Sequence, residues 1–277
     1  MSVSDNYPTY PEGVRDAFLD MVSRVKENNR LFWLGKVPRV MADMENKSIS
    51  DINVFSLAHY CRKHNVLASC WGSSAAGAGR GGSVLPVCVR GDGGADDRLF
   101  AQPSRTRTDA SLEALATEKR RLQTRLLHEM RQRGITPSRE DLVCSYLYNR
   151  VLGYLNQKYN LVNAPTYTGL KFIAEMASTL LAYNMGMHKM PERENVRHID
   201  SWLKDIDSGR IDMAESIWLI DNTRERITHE LTGMFMIKEN FFRSIDDYMK
   251  SKINFEVGRS LSSSFPENGI GQGGLHR

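Results

Sequence analysis

The sequence predicts an all-α protein: a small helical N-terminal unit, a flexible Gly/Ser/Arg-rich middle, a basic helix and a C-terminal helical bundle. Three observations predict it. Apolar residues recur at helical spacing through most of the 277 residues, and nothing beyond Pro137 alternates as a strand does. Between residues 72 and 108, Gly, Ser, Ala and Arg displace that pattern. The expected units are therefore residues 1–71 (N-terminal helical unit), 72–108 (linker), 109–258 (basic helix plus helical bundle) and 259–277 (disordered tail).

Residues 11–28 place Val14, Phe18, Met21, Val22 and Val25 at helical spacing, with charged residues between them. A second helix is expected from an N-cap at Ser50 through Ile52, Phe55 and His59 to about His64. Asn65 tolerates the left-handed conformation that ends helices. Val66–Trp71 fits a short strand and a buried lead-out equally well. The glycine-rich stretch that follows is expected to be disordered, except for the apolar island Val84–Val89, which suits a strand or a docking segment.

Order is expected to resume at Asp109 or Ser111, either of which can cap a helix bearing Leu112, Leu115, Leu122, Leu126 and Met130 and closing at Gly134. Lys119 interrupts its leucine pattern, so a long coiled coil is not expected. Ser138 and Asp141 resemble a capping box for the next helix, through Val143, Leu147, Val151 and Leu155. Leu170–Met185 is apolar on nearly every side and predicts a central, buried helix. Past Pro191 come a helix through Ile199, Trp202 and Ile206 that stops at Ser208 and Gly209, and another capped by Asp212 and Glu215. A last helix carries Ile237, Phe241, Ile245, Tyr248 and Met249. Five helices with short connections make a bundle the natural solution.

The 41% apolar content supplies at least one substantial core. No run of apolar residues is long enough to span a bilayer, and MSVSDNYPTYPEG has neither a basic start nor an apolar h-region. An intracellular protein, cytoplasmic or nuclear, with no membrane partner is expected. Cys61, Cys70, Cys88 and Cys144 make a poor disulfide framework for a chain of this size, so reduced thiols are expected.

Charge is regional. Between Arg105 and Arg139 there are nine Lys/Arg and four Asp/Glu, an excess of +5, so the rest of a chain with net charge +4 sums to about −1. On the expected helix Arg120, Arg121, Arg125 and Arg131 fan across the side opposite the leucines, with Arg105 and Arg107 just before it. Guanidinium groups on one side of a rod can follow a phosphate backbone. Those six arginines are the candidate nucleic-acid-binding residues. Ion pairing of Glu118 with Arg121 and Glu129 with Arg133 is the plainer reading of the same helix, as a solvated face.

Other motifs carry less. AGAGRGGS lacks the Lys-Ser/Thr pair of a P-loop and leads into SVLPVCV, with Pro86 where a helix is required. His59, Cys61, His64 and Cys70 are soft ligands close in sequence. On a helix, however, His59 and Cys61 point roughly 200° apart. No metal and no cofactor is expected. A di-iron bundle needs Glu-x-x-His pairs, whereas Glu194 with His198 and Glu225 with His229 are spaced by four and suit surface pairs. Trp202, Trp218, Phe241 and Phe242 are core candidates first. Most methionines lie after Leu127, which also suits a helix-docking surface.

The functional expectation is a non-enzymatic RNA-binding or nucleoprotein-associated scaffold that self-assembles through its C-terminal bundle. Its partners are single-stranded nucleic acid, most naturally RNA, and itself or another helical protein. The alternative is an interaction adaptor whose basic helix binds an acidic protein.

Overall fold

The computed structural model describes residues 12–28, 30–35, 37–39, 41–43, 49, 52–68, 70–73, 84–86, 98–101, 109–159 and 168–233. Among them eight helices make the fold predominantly helical, as predicted, with one small sheet beside them: α1 (Glu12–Glu27), α2 (Asn53–Lys63), α3 (Asp109–Gln132), α4 (Glu140–Tyr159), α5 (Thr168–Asn184), α6 (Arg193–Val196), α7 (Ile199–Asp207) and α8 (Met213–Thr232). The helix expected around Ile237–Met249, the tail, and the arginines Arg105 and Arg107 lie outside the described residues.

Helix ends follow local chemistry. Asp212 caps α8, its carboxylate accepting the Glu215 N–H at 3.1 Å. Gly134, Gly209 and Gly233 all take positive φ just past their helices, and Asn65 does so at φ 51°. Ser50 lies outside the described residues, and Ile52 occupies the cap position of α2 without a side-chain capping bond. The helix expected across Val196 and Ile199 is broken in two between α6 and α7. The turn between them falls at Arg197 and His198, and within α6 the Asn195 side chain is fully buried, its amide donating to Glu175.

Every described residue of the 72–108 segment lies in a strand. A small four-stranded sheet runs in the order β1 (Ala42–Asp43), β2 (Cys70–Ser73), β4 (Arg98–Ala101), β3 (Val84–Pro86). β1 pairs parallel to β2, and β4 pairs antiparallel with both β2 and β3. The Val84 island is thus a strand. Pro86 is tolerated there because β3 lies at an edge, where a missing N–H is not missed.

α5 is the centre of the molecule. Leu170, Phe172, Ile173, Met176, Leu180 and Leu181 are all buried, so its apolar composition on every side reflects neighbours on every side. It packs against α4, α7 and α8. The N-terminal unit shares this core: α1 packs on α2 and α7, and the rings of Phe18 and Phe172 lie 6.1 Å apart. Trp33, Trp71 and Trp202 are fully buried. Among the described residues no helix is long and apolar enough to cross a membrane.

Candidate functional site

Two regions combine charge with defined geometry. The first is α3, whose 24 residues make a rod about 36 Å long. Leu126 and Met130 are fully buried on one side, with Leu122 packed against the same core. On the other side Arg120, Arg121, Arg125 and Arg131 are exposed, the fan expected from their spacing. Their surroundings differ. Arg120 pairs with Glu113 and also donates to Thr117 Oγ1 at 3.0 Å. Its side chain remains 60% exposed and that of Glu113 67%, so the pair contributes little and is readily exchanged for another anion. Arg125 donates to the Leu231 carbonyl at 3.2 Å, tying α3 to the last turn of α8. Arg133 pairs with Glu129 at 3.4 Å, as the sequence suggests.

Lys119 departs from expectation. It sits on the buried stripe rather than breaking it, only 6% exposed. Its Nζ donates to the Tyr183 carbonyl at 2.8 Å and stands 3.7 Å from the centroid of the Tyr183 ring. Burial drives its pKa down to about 7, against a smaller upward pull from Glu118. One of the nine cations of the basic region is therefore not surface charge.

The second region was not legible as a site. A cleft of about 890 Å³ opens between the first turns of α4 and the segment His188–Glu194, which leads into α6. Beneath it lies a polar core. Glu175, in the middle of α5, is wholly buried; its Oε1 accepts from Trp33 Nε1 at 2.7 Å, Lys189 Nζ at 2.7 Å and the Glu192 N–H at 3.2 Å. Its Oε2 accepts from Asn195 Nδ2 at 2.6 Å. Lys189 Nζ also donates to Glu192 Oε1 at 3.0 Å and to the Met190 carbonyl at 3.1 Å. Ser145 Oγ donates to the other Glu192 oxygen at 2.9 Å. Desolvation opposes the Lys189 charge most strongly, yet the two carboxylates outweigh it together and raise the pKa. Lys189 is a fixed cation.

The sequence holds two signals that could have found it: Glu175 is a lone acid in an apolar run, and Lys189 stands two residues before Pro191. Neither names its partner, because Trp33 is 142 residues from Glu175.

The remaining candidates resolve individually. His59 bonds Asp20 at 3.1 Å while Cys61 is buried, so the two diverge as the helix requires. Among the described residues no three His, Cys, Asp or Glu side chains gather as a ligand set. The Cys144 thiol is pushed up to about 12 by burial, with Lys189 pulling weakly the other way, and burial also raises Cys61. Glu225 and His229 approach to 3.8 Å with side chains only 10% and 19% exposed. That corrects their reading as a surface pair, since α8 is buried along most of its length.

Comparison of the chain with protein-family models, curated proteins and solved structures found no match.

Proposed function

We propose that this chain is a non-enzymatic RNA-binding scaffold, of the kind associated with nucleoproteins, in which the outer face of α3 lies along the phosphates of single-stranded RNA. One observation carries the reading: Arg120, Arg121, Arg125 and Arg131 are exposed on one side of a helix whose other side is locked in the core. A rigid helix presents the guanidinium groups in fixed order, so binding must order their side chains but not the backbone that carries them. Phosphate contacts of this type are salt-sensitive and weakly sequence-specific. Arg105 and Arg107 stand four and two residues before Asp109, where α3 starts, and extend the same positive region in the sequence.

A binding role agrees with the thiols: buried Cys61 and Cys144 hold their protons, so neither offers a nucleophilic thiolate. Self-assembly is the second half of the proposal. It runs through the C-terminal bundle, where Leu142 and Met190 are large apolar side chains left exposed among the described residues. An acidic protein is the competing partner for α3, because its carboxylates would pair with the same exposed guanidinium groups.

Anisotropy titration of the intact chain with labelled single-stranded RNA at rising salt tests the first half. Affinity falling steeply with salt is expected; no binding at low salt refutes it. Light scattering of the intact chain tests the second, and a strict monomer at high concentration refutes self-assembly.

A further inference from the structure

We propose that Lys119 is a proton-operated catch on the first half of α3, seated on Tyr183 while its amine is neutral and released when the amine takes up a proton. The consequence for RNA rests on the reading of α3 given above; the catch itself does not.

Packing along α3 is uneven. Among residues 112–118 none is buried, and Leu112 and Leu115 are half-buried without packing on the core. From Leu122 onward the helix packs on it, and Leu126 and Met130 are fully buried. Between these stretches Lys119 is the one buried side chain, its Nζ donating to the Tyr183 carbonyl at 2.8 Å and standing 3.7 Å from the centre of the Tyr183 ring. The other side-chain bonds described before Leu122, from Thr117 to the Glu113 carbonyl and from Arg120 to Glu113 and Thr117, stay within α3. The first half of the helix is thus tied to the body of the protein at a single polar contact.

A lysine is an unusual anchor. Lys119 is 6% exposed, and among the described residues no carboxylate bonds it. A carbonyl and a ring face do not replace the hydration that an ammonium loses, so burial favours the neutral amine. Seated on Tyr183, Lys119 gives up its proton at about pH 7, whereas an ordinary lysine keeps it to 10.5. Release between those values takes up a proton, so each unit of acidification favours the released state by up to about tenfold.

The groups around Lys119 keep one charge state across that range. Tyr183, on α5, is pushed up by burial and stays protonated. His188, just past α5, is pushed down by burial and by Arg39 and Lys119, against Glu140, and is neutral above pH 7. Glu118, beside Lys119 on α3, pulls it upward by less than burial pushes it down. Arg120 and Arg121 lie between the catch and Leu122, so its release takes them out of the fixed series that Arg125 and Arg131 continue. Acidification toward pH 7 shortens the ordered basic face from its N-terminal end.

Amide hydrogen exchange of the intact chain, read by mass spectrometry on residues 109–121 and 123–132 and corrected for the intrinsic effect of pH, tests the catch without RNA. At pH 7.5 the first stretch is expected to be less protected than the second, and to gain up to about tenfold in protection by pH 8.5. Lys119→Met, neutral at both values, is expected to lose that gain. Equal protection of the two stretches at both values, no gain in the first, or the same gain in Lys119→Met would each overturn the proposal. The wild type alone decides the first two, whether or not the variant folds. Should the catch hold while α3 binds no RNA, only the consequence for the arginines falls.

Discussion

Lys119 and Tyr183 are 64 residues apart in sequence, yet the Lys119 ammonium donates to the Tyr183 carbonyl at 2.8 Å and lies 3.7 Å from the centre of its ring. The contact ties α3 to the last turn of α5, and Lys119 lies on the side of α3 that also buries Leu126 and Met130, away from the exposed arginines.

That burial makes stability depend on pH. The folded pKa of Lys119, about 7, lies below the ordinary lysine value of 10.5. Below pH 7 both folded and unfolded chains hold the proton, and the fold carries the cost of a buried charge. Between about 7 and 10.5 the folded chain gives up a proton that the unfolded chain keeps. Stability attributable to this group therefore rises with pH across that window, by at most about 1.4 kcal/mol per unit. Urea denaturation of the wild type and Lys119→Met at pH 7.0 and 9.0 measures the difference. The wild type is expected to gain relative to the variant at the higher pH; parallel behaviour would show that Lys119 does not titrate there.

Removing the cation from the polar core is expected to be costly. Lys189→Met leaves Glu175 and Glu192 buried without their ammonium, a loss of about 3–5 kcal/mol. Adding Glu175→Gln should return part of it, because the surplus carboxylate is gone. Chemical denaturation of the three proteins checks the coupling. Additive losses would mean the pair does not act as one.

Helix α8 offers a local test of capping. Asp212→Ala removes the acceptor for the Glu215 N–H and should cost about 1 kcal/mol, whereas Asp212→Asn should cost less than half of that. Thermal denaturation distinguishes them.

Thiol reactivity reports on the core independently. Cys144, pushed up to about 12 and buried, should resist iodoacetamide at pH 8 in the folded chain and react on unfolding. Peptide mapping by mass spectrometry assigns the label. Rapid modification of Cys144 under native conditions would contradict the packing of α4.

The elements legible in the sequence were those governed by local rules. The period of Val14, Phe18, Met21 and Val25 gives α1, the left-handed Asn65 ends α2, and Asp212 starts α8. The all-apolar surface of Leu170–Met185 marked α5 as central. What escaped depends on partners remote in sequence. Lys119 looked like an interruption because its acceptor, the Tyr183 carbonyl, is supplied by α5. Asn195 finds its partner in Glu175, 20 residues away in sequence. Six residues at Val66–Trp71 could not distinguish strand from lead-out, because β2 exists through pairing with β1 and β4. The basic face was legible as a stripe, as was the Glu129–Arg133 pair, but not that Arg120 would hold Glu113, seven residues back on its own helix.

The central claim is that exposed guanidinium groups on α3 contact RNA phosphates. Arg120, Arg121 and Arg131 test it most directly; Arg125 is left in place because it holds the Leu231 carbonyl. The measurement is the slope of log affinity against log salt for single-stranded RNA, in the wild type and in the triple Arg→Glu variant with its melting temperature matched. Three lost phosphate contacts should weaken binding and flatten the slope by about 2. An unchanged slope and affinity would show that the polyanion, if bound at all, lies elsewhere on the molecule.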